Sequence, residues 1–199
     1  MQTCSRQEVL VVNKAHRIPT DRVEPWTFED LRGFPDSPWR FEIIDGGLHM
    51  TPPPGETHEG VRARLEQFIA DALDPSHRLL GPVVVDIHPS YLIPDLAVAG
   101  MNPSQPANGL VYPSELVLAV EVVSRGSASA DRTLKPATYA AAGIPAYWCV
   151  ETEPRTSLTA YTLTDDASVY TEVGAWLVGD VAHLTEPFHL DLTITDLEK

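Results

Sequence analysis

The chain has 199 residues, which is typical of one domain with a core large enough to fold alone, and no apolar run approaches the ~18 residues that span a membrane. Its first residues lack the basic start and apolar core of a signal peptide, and its two cysteines are too few for a disulfide framework, so we expect a cytoplasmic protein. The net charge of −14 argues against tight, unselective binding to long nucleic-acid duplexes.

The N-terminal region shows weak periodicity and mixed polarity. We expect residues 1–24 to form a loose arm, or an early strand near residues 9–12, and residues 25–199 to form a single domain. A short helix is expected from Thr27 to Leu31, with Thr27 as its N-cap and acidic residues in its first turn. This helix is predicted to pack Trp26 and Leu31 on the core.

A β-hairpin and a long helix follow. Residues 39–44 and 48–51 read as two strands joined by an Asp-Gly turn. On spacing alone, Glu42 fits the polar face of an edge strand as well as it fits an active site. The helix is expected over residues 57–73, where apolar residues fall at helical spacing. We expect His58 in its first turn to be solvated, the alternative being a histidine that approaches a phosphate or a site water.

The middle of the chain predicts buried strands separated by turns. Strands are expected over residues 81–88, 91–99 and 115–123. A turn-rich loop rich in glycine, proline and asparagine is expected over residues 100–114.

A strand–helix–strand unit is expected over residues 115–151. A bend over residues 124–129 leads into a helix over 130–142, which ends before a strand over 146–151. Such a unit usually forms a parallel crossover. Beyond it we expect an antiparallel extension, with short strands over 158–163, 168–173 and 182–184 and a last strand or helical turn over 190–197.

Two of the buried strands carry a carboxylate. Asp95 and Glu121 lie in apolar runs that do not alternate, which indicates strands buried on both faces. Burying a carboxylate there is unfavourable unless positive charge offsets it. The chain has only three lysines, and Lys135 follows Glu121 on the next predicted helix, four residues after Asp131. Two carboxylates and a lysine at a sheet edge favour a divalent-metal site with a cationic helper.

Other chemistries find less support in the sequence. There is no Gly-x-Ser-x-Gly elbow and no glycine-rich phosphate loop. The histidines show no Cys/His cluster with zinc spacing. Cys149 lies in an apolar strand, where an inert core thiol is expected.

The chain resembles the Uma-two family of restriction-endonuclease-like proteins, within the PD-(D/E)xK nuclease superfamily. The resemblance covers roughly residues 25–195 and keeps the order and spacing of the motifs. These are Phe41–Gly46, Pro52–Pro54, His58, Ile93–Asp95, Val120–Ser124, Asp131, Lys135, Tyr139 and Gly143–Trp148.

The resemblance implies roles for the site residues. Asp95 and Glu121 would be the metal carboxylates, and the carbonyl of Val122 would add a ligand. Lys135 would be the catalytic lysine; the superfamily usually places it two residues after the glutamate, whereas the resembled family has it on the next helix. Glu42 would be an additional acidic residue near the metal. Asp131 would either orient Lys135 or only pair with it.

The resemblance also implies a fold and a function. We expect a restriction-endonuclease-like α/β domain with a central mixed sheet flanked by helices, acting as a homodimer. The expected activity is hydrolysis of DNA phosphodiester bonds with Mg²⁺, or Mn²⁺ in its place. Two alternatives stay open: a non-catalytic binding or assembly module of the same fold, and a metal-dependent hydrolase of smaller phosphate esters, which a negative surface suits better.

Overall fold

The computed structural model describes residues 10–13, 16–18, 22–100, 109–164 and 168–199. Most of the predicted arm over residues 1–24 lies outside these ranges, as do residues 101–108 of the predicted loop. No helix among the described residues is long and apolar enough to cross a membrane.

Strands dominate the described part of the chain. The three α-helices are α1 (Phe28–Arg32), α2 (Glu56–Ala72) and α3 (Lys135–Ala141). The strands are β1 (Leu10–Asn13), β2 (His16–Ile18), β3 (Arg40–Ile44), β4 (Gly47–Thr51), β5 (His77–Leu80), β6 (Val84–Ile87), β7 (Ser90–Leu92), β8 (Leu96–Gly100), β9 (Leu110–Val111), β10 (Leu116–Val123), β11 (Ala146–Glu151), β12 (Ser157–Leu163), β13 (Tyr170–Leu177), β14 (Val181–Leu184) and β15 (Leu190–Thr193).

The N-terminal elements follow local sequence signals. The backbone N–H of Asp30 donates to the Thr27 hydroxyl, and the Asp30 carboxylate accepts from the Thr27 N–H, so α1 begins with the expected N-cap. Trp26 and Leu31 are only half-buried, so α1 covers the edge of the core rather than filling it. Asp45 and Gly46 both have positive φ, which the tight turn between β3 and β4 requires.

Six strands form the central sheet, in the order β13-β12-β11-β10-β8-β5. Strands β10 and β11 are parallel, and every other pair in this sheet is antiparallel. The connection between β10 and β11 runs through a π-helical turn (Ala130–Leu134) and α3, so the predicted parallel crossover is confirmed. The predicted antiparallel extension is confirmed for β12 and β13, whereas β14 pairs with β15 in a separate two-stranded sheet. A short 3₁₀ helix (Ile194–Glu198) follows β15, so the last segment is both strand and helical turn.

A second sheet, in the order β4-β3-β7-β6-β9, lies beside the first. The prediction of a single strand over residues 91–99 is wrong, because β7 belongs to the second sheet and β8 to the central one. The chain changes sheet at Ile93-Pro94-Asp95, because Pro94 has no N–H to donate to a strand ladder. Asp95 therefore lies just before β8, where its N–H donates to the carbonyl of Val120 over 3.0 Å.

Strand β10 is buried on both faces, as predicted. Leu118, Val120 and Val122 share one face with the apolar stripe of α2, which Val61, Leu65 and Ile69 form. Ala119 and Val123 share the opposite face with Tyr139 of α3. Because side chains alternate along a strand, Glu121 must lie on the face of Ala119 and Val123, toward α3.

The packing of α2 gives a test of this core. Leu65 is fully buried, so we expect Leu65→Ala to lower the free energy of unfolding by about 2–5 kcal/mol. Val173 is 53% exposed on β13, and Val173→Ala should change it by less than about 0.5 kcal/mol. Urea denaturation measures both. Equal effects from the two substitutions would contradict this placement of α2.

Candidate active site

A buried lysine and three carboxylates form the centre of the site. The Lys135 ammonium lies 3.0 Å from Glu42 Oε1, 3.2 Å from Glu121 Oε2 and 3.2 Å from Asp131 Oδ1. Lys135 is only 1% exposed. The structure therefore brings together three of the predicted site residues, Glu42, Glu121 and Lys135, and adds Asp131 to them.

Three elements position these side chains. Glu42 lies within β3, and Glu121 projects from the centre of β10 toward α3. The π-helical turn carries Asp131 and leads directly to Lys135, so both side chains face the same point. Single π-helical turns are rare and occur often at functional sites. One turn further along, the Tyr139 hydroxyl donates to Glu121 Oε1 over 2.8 Å.

One ammonium does not balance three carboxylates. Burial raises the pKa of Glu121 well above its ordinary value, and although Lys135 opposes this shift, the charges of Asp131 and Asp95 add to it. Burial likewise raises the pKa of Asp131. For Lys135, burial favours loss of the proton, but the surrounding carboxylates outweigh it and raise the pKa above the ordinary lysine value. Lys135 is therefore charged at neutral pH.

Asp95 lies beside this cluster with a different set of partners. The Arg40 guanidinium is 2.8 Å from Asp95 Oδ1. His58 Nε2 is 3.2 Å from Asp95 Oδ2, which also accepts from the Val122 N–H over 2.8 Å. Burial raises the pKa of Asp95, but the His58 hydrogen bond and the Arg40 charge together outweigh it and hold that pKa at about 2. Asp95 is therefore ionised at neutral pH.

The expectation that His58 is solvated is wrong. His58 is 5% exposed, in the first turn of α2 and on the same helical face as Val61 and Leu65. The spacing of 58, 61 and 65 carried the signal, because these positions form one stripe on a helix.

Sequence reasoning also missed Arg40. Arg40 precedes Glu42 by two residues in β3, so strand alternation puts both on one face. Glu42 lies inside the protein and also accepts from the Ile93 N–H over 2.7 Å. The interpretation of Glu42 as the polar face of an edge strand is therefore excluded.

A small cavity and a larger cleft adjoin the site around Asp95. The small cavity of about 10 Å³, room for about one water, is lined by Arg40, Glu42, Asp95 and Lys135 among others. The larger cleft of about 860 Å³ opens beside it. Pro52, Pro54, His58 and Ser124 line both cavities.

The site has the donors that Mg²⁺ prefers, since carboxylate and carbonyl oxygens are its usual protein ligands. The Val122 N–H points at Asp95, and the carbonyl of a strand residue lies on the same edge as its N–H, so the Val122 carbonyl lies on this side of β10. Among the described residues, however, no three His, Cys, Asp or Glu side chains are grouped as metal ligands. Arg40 lies against Asp95 and Lys135 against Glu121 instead. The donor chemistry of the site nevertheless fits the ion.

Cys149 lies apart from this chemistry. It is buried in β11, where burial raises the pKa of its thiol to about 12. The thiol is therefore protonated and inert at neutral pH, as the sequence predicts.

A mixed sheet flanked by helices, with acidic residues and a lysine meeting beside its central strand, is the arrangement of a restriction-endonuclease-like α/β fold. A solved structure supports this class. The crystal structure of a protein from Anabaena variabilis ATCC 29413, described as a "putative nuclease", is similar to this chain with a TM-score of 0.66 and 17% identity, over 87% of this chain and 97% of that one. The predicted fold class is confirmed.

The sequence itself identifies the family. The model of the Uma2 family, described as "Putative restriction endonuclease", matches residues 27–196. The chain therefore belongs to the Uma2 family, and the resemblance found in the sequence is confirmed. A comparison with curated proteins gave no match.

The raised pKa of Glu121 predicts a pH dependence of stability. The folded protein holds the Glu121 proton more tightly than the unfolded chain does, so the wild type loses stability as pH rises above the ordinary glutamate pKa of about 4.3. Glu121→Gln removes that loss. Measured without metal by urea denaturation, the variant should gain stability relative to wild type between about pH 5 and pH 8, by at most about 1.4 kcal/mol per pH unit.

The exposed Glu172 supplies the control for this measurement. Glu172→Gln removes the same charge from β13, and its difference from wild type should stay nearly constant over the same range. If the stability difference between Glu121→Gln and wild type also stays constant with pH, folding does not raise the pKa of Glu121.

Proposed function

We propose that this protein is a nuclease that hydrolyses DNA phosphodiester bonds with Mg²⁺, or Mn²⁺ in its place. The observation that carries the proposal is the buried cluster of Glu42, Asp95, Glu121 and Asp131 around Lys135 and Arg40, which lies next to an open cleft. Burying several carboxylates close together costs free energy, and such clusters of buried titratable groups occur often at functional sites. The family and the fold, both of the restriction-endonuclease-like kind, support the same class of chemistry.

In this proposal each residue has a distinct role. Asp95 and Glu121 would hold the metal with the Val122 carbonyl, and the ion, when bound, would supply an activated water and positive charge beside the phosphate. Lys135 lies against Glu121, where its ammonium donates hydrogen bonds to the attacking water and offsets charge that develops on phosphate oxygens.

The remaining polar residues position these groups. Glu42 and Asp131 orient the Lys135 ammonium through their contacts of 3.0 and 3.2 Å. Arg40 and His58 hold the Asp95 carboxylate and keep it ionised. Removing Glu42 or Asp131 should therefore affect the reaction through the orientation of Lys135. Removing Arg40 or His58 should affect it through Asp95.

A second candidate is a non-catalytic binding or assembly module. It is favoured by one observation, that Lys135 and Arg40 already neutralise the carboxylates that would bind metal. A hydrolase of smaller phosphate esters is the third, and the net charge of −14 favours it over one that grips duplex DNA. The homodimer, which rests on the family resemblance, and the cytoplasmic location, which rests on composition, are proposals of the same kind.

Cleavage of nucleic acid tests the proposal. The wild type should nick supercoiled plasmid, or cleave one member of a panel of DNA and RNA substrates, with Mg²⁺ or Mn²⁺ and not with EDTA. Asp95→Asn preserves the shape of the side chain and should lower the rate at least about 100-fold, as should Lys135→Met. Gel electrophoresis of the products gives the rates.

The control variant is His183→Ala on β14, whose side chain is exposed and pairs only with Asp191 among the contacts described. It should cleave at the wild-type rate, and circular dichroism should show every variant folded. No cleavage of any substrate by the folded wild type, or full activity in Asp95→Asn, would reject the nuclease proposal.

A further inference from the structure

Two chemically different kinds of residue line the cleft beside the site. Four prolines, Pro52, Pro53, Pro54 and Pro154, give it rigid apolar surface. Two arginines, Arg125 and Arg132, line it as well, in a protein with 14 basic residues altogether. Apolar surface beside cationic groups matches a nucleotide strand, which has apolar base faces and an anionic backbone.

Each arginine is paired with a glutamate at the rim of the cleft. Arg125 Nε donates to Glu153 Oε2 over 2.8 Å. Arg132 donates through Nε and Nη2 to the two oxygens of Glu151, over 2.6 and 2.8 Å. This forked geometry is also how arginine binds phosphate, so the Glu151 carboxylate occupies the place that a phosphate would take.

The arginines of these pairs are exposed, unlike Lys135 in the buried cluster. The Arg125 and Glu153 side chains are 87% and 57% exposed, and the Arg132 and Glu151 side chains are 53% and 24% exposed. Ion pairs that water reaches contribute little to stability. A phosphate can therefore compete with either carboxylate for its arginine.

The cleft is continuous with the candidate active site through shared residues. His58, which contacts Asp95, lines the cleft as well as the small cavity beside Lys135. The bend that carries Arg125 packs tightly on Pro52, since a Cβ at Gly126 would lie 2.8 Å from it. Arg125 and the prolines are thus held close to one another beside the site.

We infer that this cleft binds the sugar–phosphate backbone of one nucleic-acid strand, with Arg125 and Arg132 as phosphate contacts that Glu153 and Glu151 block in the free protein. The volume of about 860 Å³ lies within the range of about 300–1,000 Å³ typical of ligand pockets, which suits a few nucleotides of one strand. The inference rests on the proposed function and names how its substrate is held. It also reconciles a nucleic-acid substrate with an acidic surface, because binding is local to the cleft.

The test measures binding without catalysis. Fluorescence anisotropy follows a fluorescein-labelled oligothymidylate in EDTA at several salt concentrations, so no metal or cleavage is involved. Glu151→Gln frees Arg132 and should tighten binding roughly threefold to tenfold at low salt. Arg132→Gln should weaken binding and reduce the slope of log K against log salt by about 0.7, the value for one lost phosphate contact on a single strand.

A matched control separates unmasking from net charge. Glu66 pairs with Arg62 on α2 over 2.9 Å, outside the residues that line the cleft, so Glu66→Gln makes the same charge change elsewhere. We expect it to change the affinity by less than twofold, and thermal denaturation should show all variants folded. Equal tightening by Glu66→Gln and Glu151→Gln, an unchanged salt slope in Arg132→Gln, or no binding by any variant would overturn the inference.

The two proposals fail in different ways. If the protein binds DNA in EDTA through Arg132 but cleaves nothing with Mg²⁺ or Mn²⁺, the nuclease proposal is rejected and the proposed binding cleft stands. If the protein cleaves DNA but substitution of Glu151 or Arg132 leaves its DNA affinity unchanged, the nuclease proposal stands and the proposed binding cleft is rejected.

Discussion

The buried ammonium of Lys135 is the interaction on which the site depends. It lies within 3.2 Å of carboxylates from β3, β10 and the π-helical turn, so it links three separate segments of the chain. Without it, three buried carboxylates would repel each other and lose their counter-charge, which typically costs several kcal/mol. Lys135 is therefore the counter-charge that these three acids share.

Asp95 provides a second link, between the two sheets. The chain passes from β7 to β8 at Pro94, and this change of sheet leaves Asp95 free to reach Arg40 in β3, His58 in α2 and the backbone of β10. Asp95 and Glu121 therefore differ in their pKa values. The His58 hydrogen bond and the Arg40 charge hold Asp95 ionised with a pKa of about 2, whereas burial raises the pKa of Glu121. An incoming divalent ion would meet one carboxylate that is ready to bind and one that releases a proton on binding.

Local signals in the sequence predicted most of the fold. The Asp-Gly turn and the helical stripe of α2 depend on neighbours within a few residues, and the crossover around Lys135 follows from the order strand, helix, strand. The structure has all three. Site residues that depend on tertiary packing were harder to find. The break at Pro94 was hidden within one apolar run, Arg40 reaches Asp95 across 55 positions, and the pairing of Arg132 with Glu151 joins two elements that only the crossover brings together. The metal roles of Asp95 and Glu121, which the buried strands and the family resemblance both indicate, remain predictions, as does that of Val122, which the resemblance alone implies.

Metal binding is the most direct measure of whether this cluster is a catalytic centre. Calorimetric titration of Mg²⁺ or Mn²⁺ into the folded wild type and into Asp95→Ala would decide it. We predict binding to the wild type that disappears in the variant, with protons released to the buffer as Glu121 loses its proton to bind the ion. Absence of binding to the folded wild type, or equal binding by both proteins, would contradict the account and favour a domain in which Lys135 serves the fold alone.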